Sequence, residues 1–331
     1  MGRCYYDGDL GFPPDRAKAV YWYRRAAVQD HAAAQNNLGY AYQSGAGVAQ
    51  DPYEAVYWYR QAAGQGVAAA QYNLANAYFY GRGTVRDKAE AVFWFRAAAE
   101  QGLAEAQNSL GNLYWTGEGR LAPLRRNLLI DALIESENRD APAAGQGGAP
   151  QSAPGREGLP QDRAKAVYWY RLAAEQGFAD AQYSLGRACG CGEGAAEDKA
   201  EAVYWYRKAA GQGNAKAKYR LARCLLAGEG CKQDYQEAAL WLAGAAEGDD
   251  EDTAASALMQ LGELYRRGLG VAADPAQALA CYEKAKRYGS VPAGREAEEL
   301  KSELKSELKS ERPEARSVFR KNMLSLFGGG D

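Results

Sequence analysis

Four cysteines, Cys189, Cys191, Cys224 and Cys231, lie within 43 residues of one another. Thiolates are soft ligands, and four of them suit a tetrahedral Zn²⁺. The spacing contains no C-x-x-C pair, and scattered free thiols more commonly serve as small apolar side chains, so both readings stand. His31 is the only histidine. A histidine metal site or a Ser-His-Asp relay would rest on that one side chain, which falls in a turn where exposure to solvent is the ordinary outcome. The loops GAG at 45–47, GRG at 81–83 and GEG at 117–119 have the glycine content of a phosphate cradle. No G-K-[ST] follows any of them and each sits where a helix must stop, so capping is the stronger reading. No catalytic set, metal-ligand set or cofactor is assigned.

Composition narrows the remaining classes. Against 40 Lys and Arg stand 42 Asp and Glu, a net charge of -2. That balance offers no concentrated basic surface for nucleic acid or anionic lipid. No apolar run approaches the roughly 18 residues of a membrane span, and the opening MGRCYYDGDL lacks the segments of a secretory signal. Six cysteines in 331 residues are too few to build a disulfide scaffold, so a reducing, cytoplasmic setting is expected.

The elements that position these residues follow from a repeat. AVYWYR begins at Ala19, Ala55, Ala166 and Ala202, with AVFWFR at Ala91. The first three starts in chain order, 19, 55 and 91, are 36 residues apart, as are the last two; the gap from 91 to 166 is one period plus an insertion. In the unit Ala32 to Val67, Ala34, Leu38 and Tyr42 recur every fourth residue and Gly45 follows in a C-cap position, which predicts a helix A. Asp51 then supplies an N-cap with Pro52 behind it, and Ala55, Val56, Tyr59, Ala62 and Ala63 form the apolar face of a helix B. One slot of helix A is held by Gly39, Ala75, Gly111, Gly186, Ala222 and Gly262, which predicts close approach of the two helices. The recurring tryptophan, Trp22, Trp58, Trp94, Trp169, Trp205 and Trp241, is expected to fill the wedge between hairpins and dominate packing. Cys281 replaces it in the last unit, which should pack less firmly or end the stack.

The pattern A-x-A-Q-Y-x-L-G-x-x-Y, G-x-G-V-x-x-D, A-V-x-W-Y-R-x-A-A-x-Q-G, clearest in AAAQYNLANAYFYGRG and AVYWYRKAAGQG, resembles the Sel1-like repeat, a relative of the tetratricopeptide repeat. The resemblance runs from Gly2 to about Ser290. It implies an all-α, right-handed α-solenoid of about seven antiparallel helix hairpins, with a truncated first unit. The domain organisation read from it is repeats over 1–119, an insertion over 120–158, repeats over 159–290 and a charged helical tail over 291–331. The family resemblance also implies a non-catalytic adaptor that holds a protein or peptide, on the concave side lined by the A helices. Two alternatives remain at this point: a metal- or redox-responsive regulator built on the cysteines, and a structural spacer.

On the outer side of helix A, opposite Leu38 and Tyr42, the candidates for partner binding are Asn37 and Tyr40, Asn73 and Asn76, Asn112, Arg187, Arg220 and Arg223. Amides can match the donors and acceptors of an extended peptide, and arginines can grip carboxylates. The insertion opens with an amphipathic pattern around Leu128 and Leu133 and continues as a Gly, Ala and Pro-rich stretch that cannot form a core. In EELKSELKSELKSER, Leu300, Leu304 and Leu308 form a narrow stripe among like-charge pairs, which predicts a modest helix suited to capping the array. The closing VFRKNMLSLF has the composition of a docking tail, with a disordered end as the plainer reading.

Overall fold

A computed structural model describes residues 1–8, 13–117 and 159–310, with side chains described to residue 306. The insertion helix expected near Leu128, the Leu308 side chain and the VFRKNMLSLF tail lie outside the described residues. The chain divides into two compact units, 1–176 and 177–331.

The first unit contains α1 (Gly2–Asp7), α2 (Arg16–Ala27), α3 (Ala32–Ser44), α4 (Pro52–Gly64), α5 (Ala68–Tyr80), α6 (Lys88–Glu100), α7 (Ala104–Thr116) and α8 (Arg163–Glu175). The second contains α9 (Ala179–Cys191), α10 (Lys199–Gly211), α11 (Ala215–Ala227), α12 (Tyr235–Ala245), α13 (Glu251–Arg267), α14 (Pro275–Arg287) and α15 (Val291–Ser310). Consecutive helices pair as antiparallel hairpins, which stack in chain order within each unit, the α-solenoid arrangement expected.

Local rules explain each hairpin. Every B helix starts on an aspartate whose side chain accepts from backbone N–H groups of the first turn, as Asp51 does from Tyr53 and Glu54; such caps contribute about 1 kcal/mol. The cap residue also closes the hairpin: Asp51 N donates to Tyr42 O at 3.0 Å, and Asp87 N to Tyr78 O at 2.9 Å. In the G-x-G turn the first glycine is the left-handed C-cap, with Gly81 at φ 70°. The second glycine lets one hairpin approach the next, since a Cβ on Gly83 would lie 1.9 Å from Pro52 O, at the start of the preceding B helix. The turn glycines therefore serve capping and stacking, and a phosphate need not be invoked.

Packing corrects one expectation. The side chain that fills the hairpin interior belongs to the residue after each tryptophan, a tyrosine in most units, Phe95 and Leu242 in two. Tyr59 and Tyr170 are 1% and 2% exposed, whereas Trp58 and Trp94 are only half-buried at the rim of the core, as are Trp22, Trp169 and Trp241; Trp205 alone of the six is buried, at 8%. A Cβ added to Gly39 would meet the Tyr59 ring at 2.7 Å, and one on Gly111 the Tyr170 ring at 2.6 Å. Neighbouring residues on a helix point about 100° apart, so only one of the pair can face the partner helix. The tryptophan sits beside it, its indole N–H donating to the glutamate one turn earlier: Trp58 to Glu54 at 3.1 Å and Trp205 to Glu201 at 3.2 Å. For the same reason Cys281 does not loosen the last hairpin, because Tyr282 is 1% exposed against Gly262.

Between hairpins the glutamines of the motif form a polar ladder. Gln71 is 6% exposed; its Nε2 donates to Ala63 O at 3.3 Å, and its Oε1 accepts from Gln101 at 2.7 Å. Gln35 and Gln65 repeat this arrangement, as do Gln107 and Gln176. Arginines add a second tie, Arg60 donating to the Tyr78 hydroxyl at 2.8 Å and Arg96 to that of Tyr114 at 3.1 Å. In the second unit α15 covers the last hairpin, burying Leu300 and Leu304 against Leu279 and Tyr282. Arg266 bridges to Glu296 at 3.1 Å and Glu303 at 2.7 Å.

Candidate functional site

The residues that first suggest chemistry are occupied in other ways. His31 is the exposed N-cap of α3, its Nδ1 accepting from Ala34 N at 3.3 Å. Cys189 is buried, with its Sγ 3.4 Å from Glu201 Oε2, while Cys191 is exposed on the last turn of the same helix. Burial pushes the Cys224 thiol up to about 11 and raises that of Cys231. Both therefore hold their protons at neutral pH, which opposes nucleophilic attack. Among the described residues no group of three or more His, Cys, Asp or Glu is placed to hold a metal ion.

The A-helix face is richer. In the first unit α5 and α7 flank a pocket of about 160 Å³. It is lined by the apolar Phe79, Phe95 and Leu113, the polar Asn76, Ser109, Asn112 and Thr116, and Tyr80. Asn76 and Asn112, both anticipated from the sequence, are thus brought together from consecutive hairpins. Asn73 is held instead by Asn36, its Nδ2 donating to Asn36 Oδ1 at 3.1 Å. On α3, Asn37 is half-buried and Tyr40 is 49% exposed; neither lines the pocket. In the second unit Arg187 and Arg220 are half-buried on α9 and α11, and Arg223 is exposed. Burial acts to lower the pKa of Arg220, but its bond to the Tyr183 hydroxyl and the nearby Tyr206 outweigh that and raise it.

Phe79, Phe95 and Leu113 were not anticipated as site residues. Phe79 occupies a slot that changes in every unit, Gln43, Phe79, Trp115, Gly190, Leu226 and Arg266, so periodicity carries no information there. Phe95 did leave a signal, because AVFWFR is the one copy without tyrosine. In other units the phenol at this slot reaches helix A: Tyr59 donates to Gln43 Oε1 at 2.6 Å, Tyr170 to Asn112 Oδ1 at 2.7 Å and Tyr282 to Glu263 at 3.1 Å. Phe95 has no hydroxyl to give, and the pocket opens beside its ring.

A second exposed feature lies on the B helices. Tyr21, Tyr57, Phe93, Tyr168 and Tyr204 are between 37% and 57% exposed. Each stands edge-on to the following tryptophan, as Tyr57 does to Trp58 at 5.0 Å.

The Sel1 repeat family matches residues 1–31, 32–67, 68–103, 104–125, 153–178, 179–214, 215–250 and 255–289. Among solved structures, a Sel1 repeat protein from Oxalobacter formigenes is 28% identical, with a TM-score of 0.63 over 86% of this chain and 94% of that one. The protective antigen c5321 of uropathogenic Escherichia coli, which displays an SLR fold, is 28% identical over 97% of this chain and 85% of that one, with a TM-score of 0.34. A sel1 repeat protein from Klebsiella pneumoniae is 19% identical over 74% of this chain and 99% of that one, with a TM-score of 0.40. Comparison with curated proteins gives no match.

Proposed function

Because the chain belongs to the Sel1-repeat family, whose members generally mediate protein–protein interactions, we propose that it is a non-catalytic adaptor holding a peptide or protein segment on its A-helix face. That face is the concave side in solenoids of this kind. The observation that supports the reading most is the meeting of Asn76 and Asn112, from consecutive hairpins, at one pocket. Tyr40 on an A helix of the first unit is exposed and able to stack, and Arg223 on an A helix of the second is exposed and able to grip carboxylates. Nucleic acid is not the partner in this reading, since the net charge is -2. Among the described residues no helix is long and apolar enough to cross a membrane. A cytoplasmic location belongs to the proposal, supported by a cysteine content too low to build a disulfide scaffold.

The exposed aromatic row on the B helices favours a second surface, and one experiment separates the two. Partners captured by the intact chain from native cell extract are compared with those of two variants by quantitative mass spectrometry. The first carries Tyr40→Ala, Asn73→Ala, Arg220→Ala and Arg223→Ala; the second carries Tyr57→Ala and Tyr204→Ala. Loss of the same partners only in the first supports the A-helix face. Loss only in the second moves the site to the B helices, and no loss in either favours a spacer.

A further inference from the structure

The amide groups at the Phe95 pocket have a polarity that their other hydrogen bonds fix. Asn112 Oδ1 is taken by the Tyr170 hydroxyl at 2.7 Å, which leaves its Nδ2 as the group to offer. Asn76 Nδ2 gives one of its two hydrogens to Tyr72 O at 3.0 Å, which orients the amide and leaves its Oδ1 as the acceptor to offer. Asn112 and Asn76, which line the pocket with Phe79 and Phe95, can thus offer a donor from α7 and an acceptor from α5. An amino-acid residue in an extended chain is complementary to this set, having one N–H, one C=O and a side chain that points away from both. Size agrees: about 160 Å³ is well below the roughly 300 Å³ at which small-molecule sites begin, and suits a single side chain.

Resting on the adaptor reading above, we propose that this pocket seats one apolar side chain of an extended peptide, whose N–H donates to Asn76 Oδ1 and whose C=O accepts from Asn112 Nδ2. The missing phenol creates the site. A tyrosine in place of Phe95 puts a hydroxyl into the pocket and gives Asn76 Oδ1 the donor that Asn112 Oδ1 receives from Tyr170. Phe95→Tyr keeps the ring that already packs in one buried cluster with Ala75 and adds only a hydroxyl.

The test follows the side-chain amide signals of Asn76 and Asn112 by NMR in the full chain. The probes are N-acetyl-leucine methylamide and N-acetyl-glycine methylamide, titrated to about 20 mM, a range suited to so small a contact. The leucine probe is expected to shift both signals and to bind about tenfold or more tighter than the glycine probe, since it alone buries an apolar side chain. Phe95→Tyr, and Asn112→Asp, which keeps an acceptor for Tyr170 but removes the donor, should each weaken the leucine probe by about tenfold without lowering the melting temperature. Equal shifts from both probes, no shift from either, or undiminished binding by Phe95→Tyr overturns the proposal. The capture experiment spares this pocket, so its failure and the failure of the pocket are told apart.

Discussion

Tyr59 and Gly39 meet so closely that neither can change alone. The tyrosine ring would lie 2.7 Å from a Cβ at residue 39, so Gly39→Ala should cost about 1 to 3 kcal/mol through overpacking. Tyr59→Leu should cost several kcal/mol, roughly the 3 to 5 of a large aromatic truncation. The double variant recreates the Ala222 and Leu242 pair found in another hairpin, both fully buried. Urea midpoints should therefore show favourable coupling, with the double variant about 1 kcal/mol or more better than the sum; strict additivity would contradict the contact. The same pairing explains what was hard to read in AVYWYR. Trp and Tyr recur equally, and recurrence alone does not say which one faces inward. The variation does: Gly39, Gly111, Gly186 and Gly262 accompany tyrosine, whereas Ala75 accompanies Phe95 and Ala222 accompanies Leu242.

Helices and their ties set the next scale. Gln71→Ala removes the amide that satisfies Ala63 O and the oxygen that accepts from Gln101, leaving both next to a buried gap. A loss of about 1 to 3 kcal/mol is expected in chemical denaturation, and an unchanged midpoint would show that the ladder is incidental. Helix boundaries were legible because Asp caps and Gly stops are local signals; the ladder was not, because a glutamine's partners 30 residues away do not show in its own window. The pairing of α7 with α8 bears on the insertion. Asp162 N donates to Tyr114 O at 2.9 Å, as Asp51 N does to Tyr42 O, and Tyr170 packs on Gly111 as Tyr59 does on Gly39. Deleting 120–158 restores a 36-residue unit and shortens a connection whose length costs little, so helical circular dichroism per residue should be kept or rise. A collapse of the signal would make the insertion structural.

For the whole molecule, buried hydroxyls and thiols predict how stability depends on pH. Burial raises Tyr59, Tyr206 and Tyr282 above their ordinary value of about 10, and pushes Cys224 and Cys281 up to about 11 from 9.0. These acids stay protonated in the folded chain after the unfolded chain has released its protons. Their contribution is fully present below about pH 8 and falls as pH rises through the unfolded values toward the folded ones. Urea midpoints should drop between pH 8 and about 10.5, and a flat profile would contradict the burial. At this scale the fold was legible because the 36-residue period repeats one packing solution. The site was legible only in part: Asn76 and Asn112 follow from helix register, but their meeting at Phe79 and Phe95 depends on where the repeat breaks. The claim that the A-helix face is the working surface is tested most directly by photo-crosslinking in the native cell. A crosslinking amino acid is placed at Tyr40 or Arg223 on A helices, and at Tyr57 or Tyr204 on B helices. The account predicts the same partner band from Tyr40, Arg223 or both and none from the B-helix positions; a partner crosslinked only from Tyr57 or Tyr204 would contradict it.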